Sequence, residues 1–479
     1  MPARLGPVRP ITAALAMVMG LAGLVSCGGG GGPQISGITT NTICGLAEQK
    51  SWLLADMQDV YLFAERLPSV DPAPFGTIES YFNALLVKKD LDGITPLDQW
   101  SYVQDSASYN LSFSAGQTLN YGVTVAGRPE DPSPIRIRYI APHSPAEAAG
   151  LQRGMVLESI NGVPTSAMQA AGAFPLLTPS AVGQSINLSV RDSITSLTPR
   201  SVSLTAAVYD LSPVDARYSR VMNLPNLANP SAAPTAVGYV FYKDFLNGYN
   251  PDGSLRPDLT TQLAQFKAQG VTELVLDLRY NGGGYINLAR DLASAIGGTA
   301  LDNRIFGSLH YNARHSASNG NYLFQASAST ALNLSRVYIL TGRRTCSASE
   351  LVINGLGPHI QVIQIGDSSC GKPFGFQPQS YCQKTYSALR FEVFNSAAQG
   401  RYYNGLAPTT GCTVADNFDL PLGTDTEALT HAALTHIQTG TCPAVASANP
   451  TPLGRRTRPQ TPLTSPTLLE GDGTPGGMR

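Results

Sequence analysis

Charge is scarce in this sequence: 32 Lys and Arg balance 33 Asp and Glu, 14% of the chain is charged, and the formal net charge is −1. No basic block or stripe occurs, so the electrostatic footprint of a nucleic-acid partner is missing. There is no C-x-x-C pair and no H-x-x-x-H spacing, which removes the usual zinc-ligand patterns. The Asn281–Gly284 loop does not spell G-x-G-x-x-G, and no G-K-[ST] follows a strand at Walker spacing. Nucleotide chemistry therefore has no support, and no metal or cofactor is called for. Past the first 27 residues, no apolar run is long enough to span a bilayer. What the chain does have is 43% apolar residues over 479 positions, enough to bury the cores of roughly three domains.

The first 27 residues read as a targeting segment. Arg4 and Arg9 give a basic start, and Ile11 to Ser26 is an almost unbroken apolar run, short for a membrane helix. The run ends in Leu24-Val25-Ser26-Cys27, which resembles the lipobox of bacterial lipoproteins. That resemblance implies acylation of Cys27 and a mature chain anchored to a membrane by lipid, with Gly28–Gly32 following as a flexible run. The implied location is the bacterial cell envelope, facing the periplasm, and glycine after Cys27 permits the outer membrane. Export places Cys44, Cys346, Cys370, Cys382, Cys412 and Cys442 in an oxidising compartment, where an even number suggests disulfides. Their connectivity stays open. Cys370 with Cys382 and Cys412 with Cys442 are the pairs nearest in sequence.

Changes in periodicity divide the rest. After a glycine-rich linker at 28–37, residues 38–115 read as a helical domain. Cys44 to Leu67 carries Leu46, Trp52, Leu53, Met57, Val60, Tyr61 and Ala64 at helical spacing, Leu67-Pro68 ends it, and Ile78 to Val87 is a second helix. Residues 116–208 differ: Ile135 to Ile140 alternates at period two, as a half-buried strand does. Ser144 to Leu151 then reads as a short helix closed by Gly150, and Arg153 to Gly162 as a strand and tight turn. The string A-P-x-S-P-A-x-x-A-G-L-x-x-G-x-x-[IVL]-x-x-I-N-G resembles a PDZ domain, although Met155 stands where many members carry an acid. The resemblance places Tyr121-Gly122-Val123 at the carboxylate loop, where backbone N–H groups capture a chain terminus while the peptide adds a strand to the sheet. From 209 to 442 strand and helix alternate, the pattern of an α/β sheet. Residues 443–479 are rich in Pro, Thr, Ser and Gly and read as a disordered tail.

Two strand–loop–helix units dominate the third domain. Glu273 to Arg279 leads through Tyr280-Asn281-Gly282-Gly283-Gly284 into a helix at Ile286–Ile296, and Val337 to Thr341 leads through Cys346 into a helix that starts at Ser347-Ala348-Ser349-Glu350. A third strand, Ile360 to Ile365, ends at Gly371-Lys372. In a parallel sheet these loops leave from the carboxyl ends of the strands, the edge where open α/β sheets place their sites. A serine hydroxyl needs a base to take its proton. No histidine has a claim on that role, because His359 falls at the far end of the Ser347 helix. A lysine serves once burial leaves its amine neutral, and Lys372 lies beside Phe374 and Phe376. Ala348 at the helix start and the Gly282-Gly283 loop are the natural oxyanion donors. Each piece also has a plainer explanation: Ser347 to Glu350 is an S-x-x-E capping box, and a lone lysine is usually solvated.

D-L-R-x-N-x-G-G, S-A-S-E and G-K in this order resemble the catalytic core of the C-terminal processing (tail-specific) serine proteases, and the resemblance extends over most of the mature chain. Gly238-Tyr239-Val240 and Phe245 open that core, and Gly405-Leu406-Ala407-Pro408 fits its later part. The resemblance implies a multidomain α/β protein with an N-terminal helical segment, a PDZ-like module and a ClpP/crotonase-like protease core whose sheet is largely parallel. It further implies Ser347 as nucleophile, Lys372 as general base, and Ala348 with Gly282 or Gly283 around the oxyanion. Protein C-termini are the implied substrates. The third catalytic residue departs from the family: Pro358 stands where some members have an acid, and Phe376 where others have glutamine. Gln377, one step further, is the candidate orienting residue, reached through a local bulge. The rival reading is a lipoprotein that binds chain ends through its PDZ-like module without cutting them.

Overall fold

The computed structural model describes residues 44–126, 134–170, 174–227, 229–246 and 257–443. Cys27, the segments 1–27 and 28–37, and all but the first residue of the 443–479 tail lie outside the described residues.

A five-stranded sheet organises the core, in the order Arg220–Leu224, Thr235–Phe241, Glu273–Asp277, Arg336–Thr341, Gln361–Gly366. Its first pair is antiparallel and the others are parallel. The central strands are continuous apolar runs, such as Leu274-Val275-Leu276 and Val337-Tyr338-Ile339-Leu340, buried on both faces as parallel strands must be. Leu276, Val337 and Ile339 face the helices Ile286–Gly297 and Ala348–Leu356. Val275, Tyr338 and Leu340 face the C-terminal helix Ala428–Thr439. Beyond the first two helices lies an antiparallel sheet in the order Gly320–Leu323, Ile305–Tyr311, Leu389–Phe394, Phe374–Phe376. The loops after Asp277, Thr341 and Gly366 therefore emerge together at one edge of the parallel sheet.

A second sheet, with its own apolar core, runs in the order Val123–Ala126, Arg136–Ile140, Val156–Ile160, Ser185–Arg191, Arg200–Thr205. Among the described residues, Val123–Ala126 is paired on one side only. The turn before it demands glycine: Gly122 has φ +87°, and a Cβ there would lie 2.1 Å from the Ser144 side chain.

The N-terminal region is less helical than its periodicity suggests. Helices form at Leu46–Val60, Ile78–Leu85 and Ser106–Phe113, but Tyr102–Asp105 is a strand paired antiparallel with Lys384–Ser387 of the core. The helix expected from Cys44 to Leu67 stops at Val60, and only a short 3-10 turn, Ala64–Arg66, follows. Tertiary contacts override the periodicity here. Tyr61 turns extended so that its buried hydroxyl donates to Asp98 at 2.7 Å, while the Leu62 N–H donates to the Leu389 carbonyl.

Disulfides join Cys44 to Cys382, Cys346 to Cys370 and Cys412 to Cys442. Nearness in sequence picks out the last pair and fails for Cys370 with Cys382. Cys370 meets Cys346 because their loops leave adjacent parallel strands, whereas the chain after Lys372 departs into the antiparallel sheet.

Candidate active site

Ser347 sits at a sharp turn between the strand Arg336–Thr341 and the helix Ala348–Leu356, with φ +57° and ψ −114°. A non-glycine residue holds such a backbone only where its surroundings enforce it, and strand-to-helix nucleophile turns are one such setting. The enforcement is visible. The Cys346 N–H donates to the Asn281 carbonyl at 3.1 Å, and the Ser349 hydroxyl to the same oxygen at 3.0 Å. The Ser347 N–H donates to Glu350 Oε2 at 2.9 Å.

Glu350 does more than cap its helix. Its carboxylate is fully buried and its second oxygen, Oε1, accepts from the Ser369 hydroxyl at 2.6 Å and the Gly371 N–H at 2.7 Å. Oε2, which holds Ser347, also accepts the Lys372 N–H at 2.9 Å. One oxygen therefore ties the backbones of Ser347 and Lys372 together. Burial pushes the Glu350 carboxyl up, against the pull of these hydrogen bonds. The sequence signal at this position is the S-x-x-E motif, and a helix cap alone explains it, so the bridging role leaves no sign of its own in the sequence.

Lys372 is only 2% exposed, and its Nζ lies 3.6 Å from the centre of the Phe376 ring. Tyr102 packs edge-on against Phe376, and Phe63 against Phe374, so the N-terminal region supplies part of the apolar cover. Burial brings the Lys372 amine down to about 7, opposed by the charges of Asp98 and Glu350. Gly371 is held at φ +91°, where a Cβ would meet the Tyr403 carbonyl oxygen at 2.4 Å. The Gly405–Pro408 segment docks here too: the Leu406 N–H donates to the Ser369 hydroxyl, and the Ser369 N–H to the Leu406 carbonyl.

The two candidate glycines differ. The Gly283 N–H is already given to Asn281 Oδ1 at 2.8 Å, while the buried Asn281 amide donates to the Tyr242 carbonyl. Among the described residues, no acceptor takes the N–H of Gly282 or of Ala348. A Cβ at Gly282 would meet nothing within 4 Å, so the space above it is open.

Other expected residues lie elsewhere. A register shift between Gly375 and Phe376 does precede Gln377, but the exposed Gln377 amide donates to the Tyr311 hydroxyl at 3.1 Å. Pro358 is exposed at the far end of the Ser347 helix. Tyr121 is buried, and the Gly122 N–H donates to Asn120 Oδ1 at 2.9 Å, while Val123 opens the one-sided edge strand. Beneath the Gly282 loop, Arg279 is buried and paired with Asp277, Glu427 at 2.6 Å and Asp416 at 2.9 Å, which gives the D-L-R run a structural purpose.

Residues 236–409 match Peptidase family S41, residues 48–102 the Peptidase S41 N-terminal domain, and residues 136–192 a PDZ domain. A carboxyl-terminal-processing protease of Synechocystis sp. is 25% identical over 263 residues, 54% of this chain and 54% of that protein. This chain thus spans about half the length of that curated relative. A solved structure from Bacteroides fragilis, described as an S41 protease, superposes with a TM-score of 0.63 at 25% identity, over 81% of this chain and 97% of that one. With N-terminal domain, PDZ domain and core matched in that order, residues 236–409 form a domain of peptidase family S41, and the chain is similar to the carboxyl-terminal-processing proteases.

Proposed function

We propose that this chain is a serine endopeptidase that cleaves exported proteins near their C-termini through a Ser347–Lys372 pair. The observation that carries the reading is a buried lysine, its amine brought down to about 7, whose backbone shares one carboxylate oxygen with the backbone of a serine at a strained turn. The neutral Lys372 amine takes the proton of the Ser347 hydroxyl as Oγ attacks the scissile carbonyl. The N–H groups of Ala348 and Gly282 hold the oxyanion, and Lys372 returns the proton to the leaving amine. Water then hydrolyses the acyl-enzyme, with Lys372 again the base. Gln377 is not needed for this cycle, and the pair works as a dyad. The open edge at Val123–Ala126 is suited to take a substrate tail as an added strand. In this reading Cys27 carries the lipid that anchors the enzyme in the bacterial envelope.

Cleavage of an unstructured protein by the mature chain, beside Ser347→Ala and Lys372→Ala, tests the reading. Wild type is expected to cut and both variants to be silent. Its kcat/KM should rise about tenfold per pH unit up to about pH 7 and then level, as a base of that pKa requires. Equal inactivity of all three from pH 7 to 10 sinks the proposal and favours tail binding without cleavage. Gly282→Ala tests the oxyanion assignment. The N–H is kept and the protein leaves room for the methyl, so Tm should hold while the methyl crowds a carbonyl approaching that N–H and lowers kcat/KM.

A further inference from the structure

The mechanism uses neither sulfur of Cys346 and Cys370, yet these cysteines flank both reacting residues. Cys346 immediately precedes Ser347, Cys370 stands two residues before Lys372, and a disulfide joins them. Cys346 is 1% exposed, while Cys370 is half-buried. Their backbones are fixed as well, Cys346 to the Asn281 carbonyl and Cys370 to the Thr345 carbonyl at 3.0 Å. Cys370 Sγ lies 3.3 Å from Glu350 Oε2, the oxygen that accepts both the Ser347 and the Lys372 N–H. A covalent tie and a carboxylate clamp thus span the same two loops side by side.

We propose that the Cys346–Cys370 disulfide, acting with Glu350, is a positioning element of the peptidase, so that the Ser347–Lys372 pair is competent only while this bond is oxidised. The inference rests on the reading of Ser347 and Lys372 as the reacting pair. A dithiol reductant reaches Cys370 first, because that sulfur is the more exposed. Its thiolate forms a mixed disulfide with Cys370 and expels the Cys346 thiolate, which takes a proton beside the Glu350 carboxylate. The second thiol of the reductant then releases Cys370. Two electrons and two protons pass to the protein, leaving two thiols and an oxidised reductant. Two consequences follow at the site. The sulfurs, about 2 Å apart in any disulfide, must separate to non-bonded distance, which pushes the Ser347 and Lys372 loops apart. The new Cys370 thiol also becomes a donor next to Oε2, competing with the two amides already there. A displacement of about 1 Å between reacting groups costs on the order of 100-fold in rate. The peptidase would stay latent in a reducing compartment and become active after export.

The test is a redox titration of the mature chain in dithiothreitol buffers of graded potential, with free thiols alkylated and mapped by mass. On an unstructured protein substrate, kcat/KM should fall by about 100-fold as Cys346 and Cys370 become reduced, and return on reoxidation. The acidic limb of the residual activity should move above pH 7 as the lysine's surroundings loosen, a change that a general loss of folded protein does not produce. Cys412→Ser/Cys442→Ser should follow the wild-type curve, while Cys346→Ala/Cys370→Ala should be slow at every potential. Full kcat/KM with Cys346 and Cys370 demonstrably reduced overturns the proposal. If the oxidised chain does not cut at all, it is the peptidase reading that fails. The positioning role is then decided by the ¹H–¹⁵N resonances of Ser347 and Lys372, which should shift on reduction; unmoved resonances overturn it.

Discussion

Two buried ionic centres lie under neighbouring loops of the same sheet edge, and they are built on opposite principles. Around Arg279, each charge has a partner: Asp277, Glu427 and Asp416 surround the guanidinium, and Arg153 adds a second cation that pairs with Asp416 at 2.8 Å. Burial would lift the Asp416 carboxyl, but Arg153 and Arg279 outweigh it and hold it down at about 2. Lys372 is as deeply buried, yet among the described residues no side chain bonds its ammonium, and an aromatic ring covers it. Pairing keeps a buried charge ionised, whereas withholding a partner turns it into a neutral base. The carboxylate that could have paired with Lys372 is spent instead on backbone N–H groups. The first arrangement supports a loop, and the second suits the reaction proposed for Ser347.

Substitutions can break this contrast. The largest expected effect is on activity: Lys372→Met should lower kcat/KM by on the order of 10⁴-fold or more, measured by single-turnover cleavage. Arg279→Met attacks the paired centre and leaves Asp277 and Glu427 uncompensated. It should cost about 3–5 kcal/mol in urea unfolding. Lys372→Met should do the reverse to stability. The folded amine titrates at about 7 against an ordinary 10.5, so the unfolded chain binds more protons between those values and wild-type stability rises with pH across that window. The penalty is at full size below pH 7, where the methionine variant should be more stable by on the order of 1–3 kcal/mol, with the gain fading by pH 10.5. The smallest effect sharpens the comparison. Asp98 pulls the Lys372 amine upward, so Asp98→Asn should move the acidic limb of kcat/KM to lower pH by less than about one unit.

Much of this was legible in the sequence because it is local. The runs ending at Asp277, Thr341 and Gly366 announce buried parallel strands, and parallel strands bring their exit loops together whatever else the chain does. That brings Ser347, Lys372 and the Gly282–Gly284 loop to one sheet edge. Glu350 was seen only as a cap, because a side chain that serves its own helix gives no sign of also reaching a loop beyond the next strand. The disulfide partner of Cys370 was hidden for a related reason: proximity in sequence competes with proximity across a sheet, and here the sheet decides. Gly283 and Gly282 look alike in the sequence, and only the Asn281 side chain separates them. The N-terminal cover of Lys372 was unreadable, since Phe63 and Tyr102 meet residues more than two hundred positions away.

That cover also sets an order of assembly. Tyr102–Asp105 pairs with Lys384–Ser387, and Cys44 bonds with Cys382 across a separation of 338 residues. A chain that emerges N-terminus first cannot close either contact until Ser387 has followed. The apolar wall that neutralises Lys372 thus waits until most of the chain has been made, and until it closes the amine stays wet and protonated. On the proposed mechanism, a chain whose wall has not closed lacks its base, so synthesis order alone would keep the nascent protein from digesting itself or its neighbours.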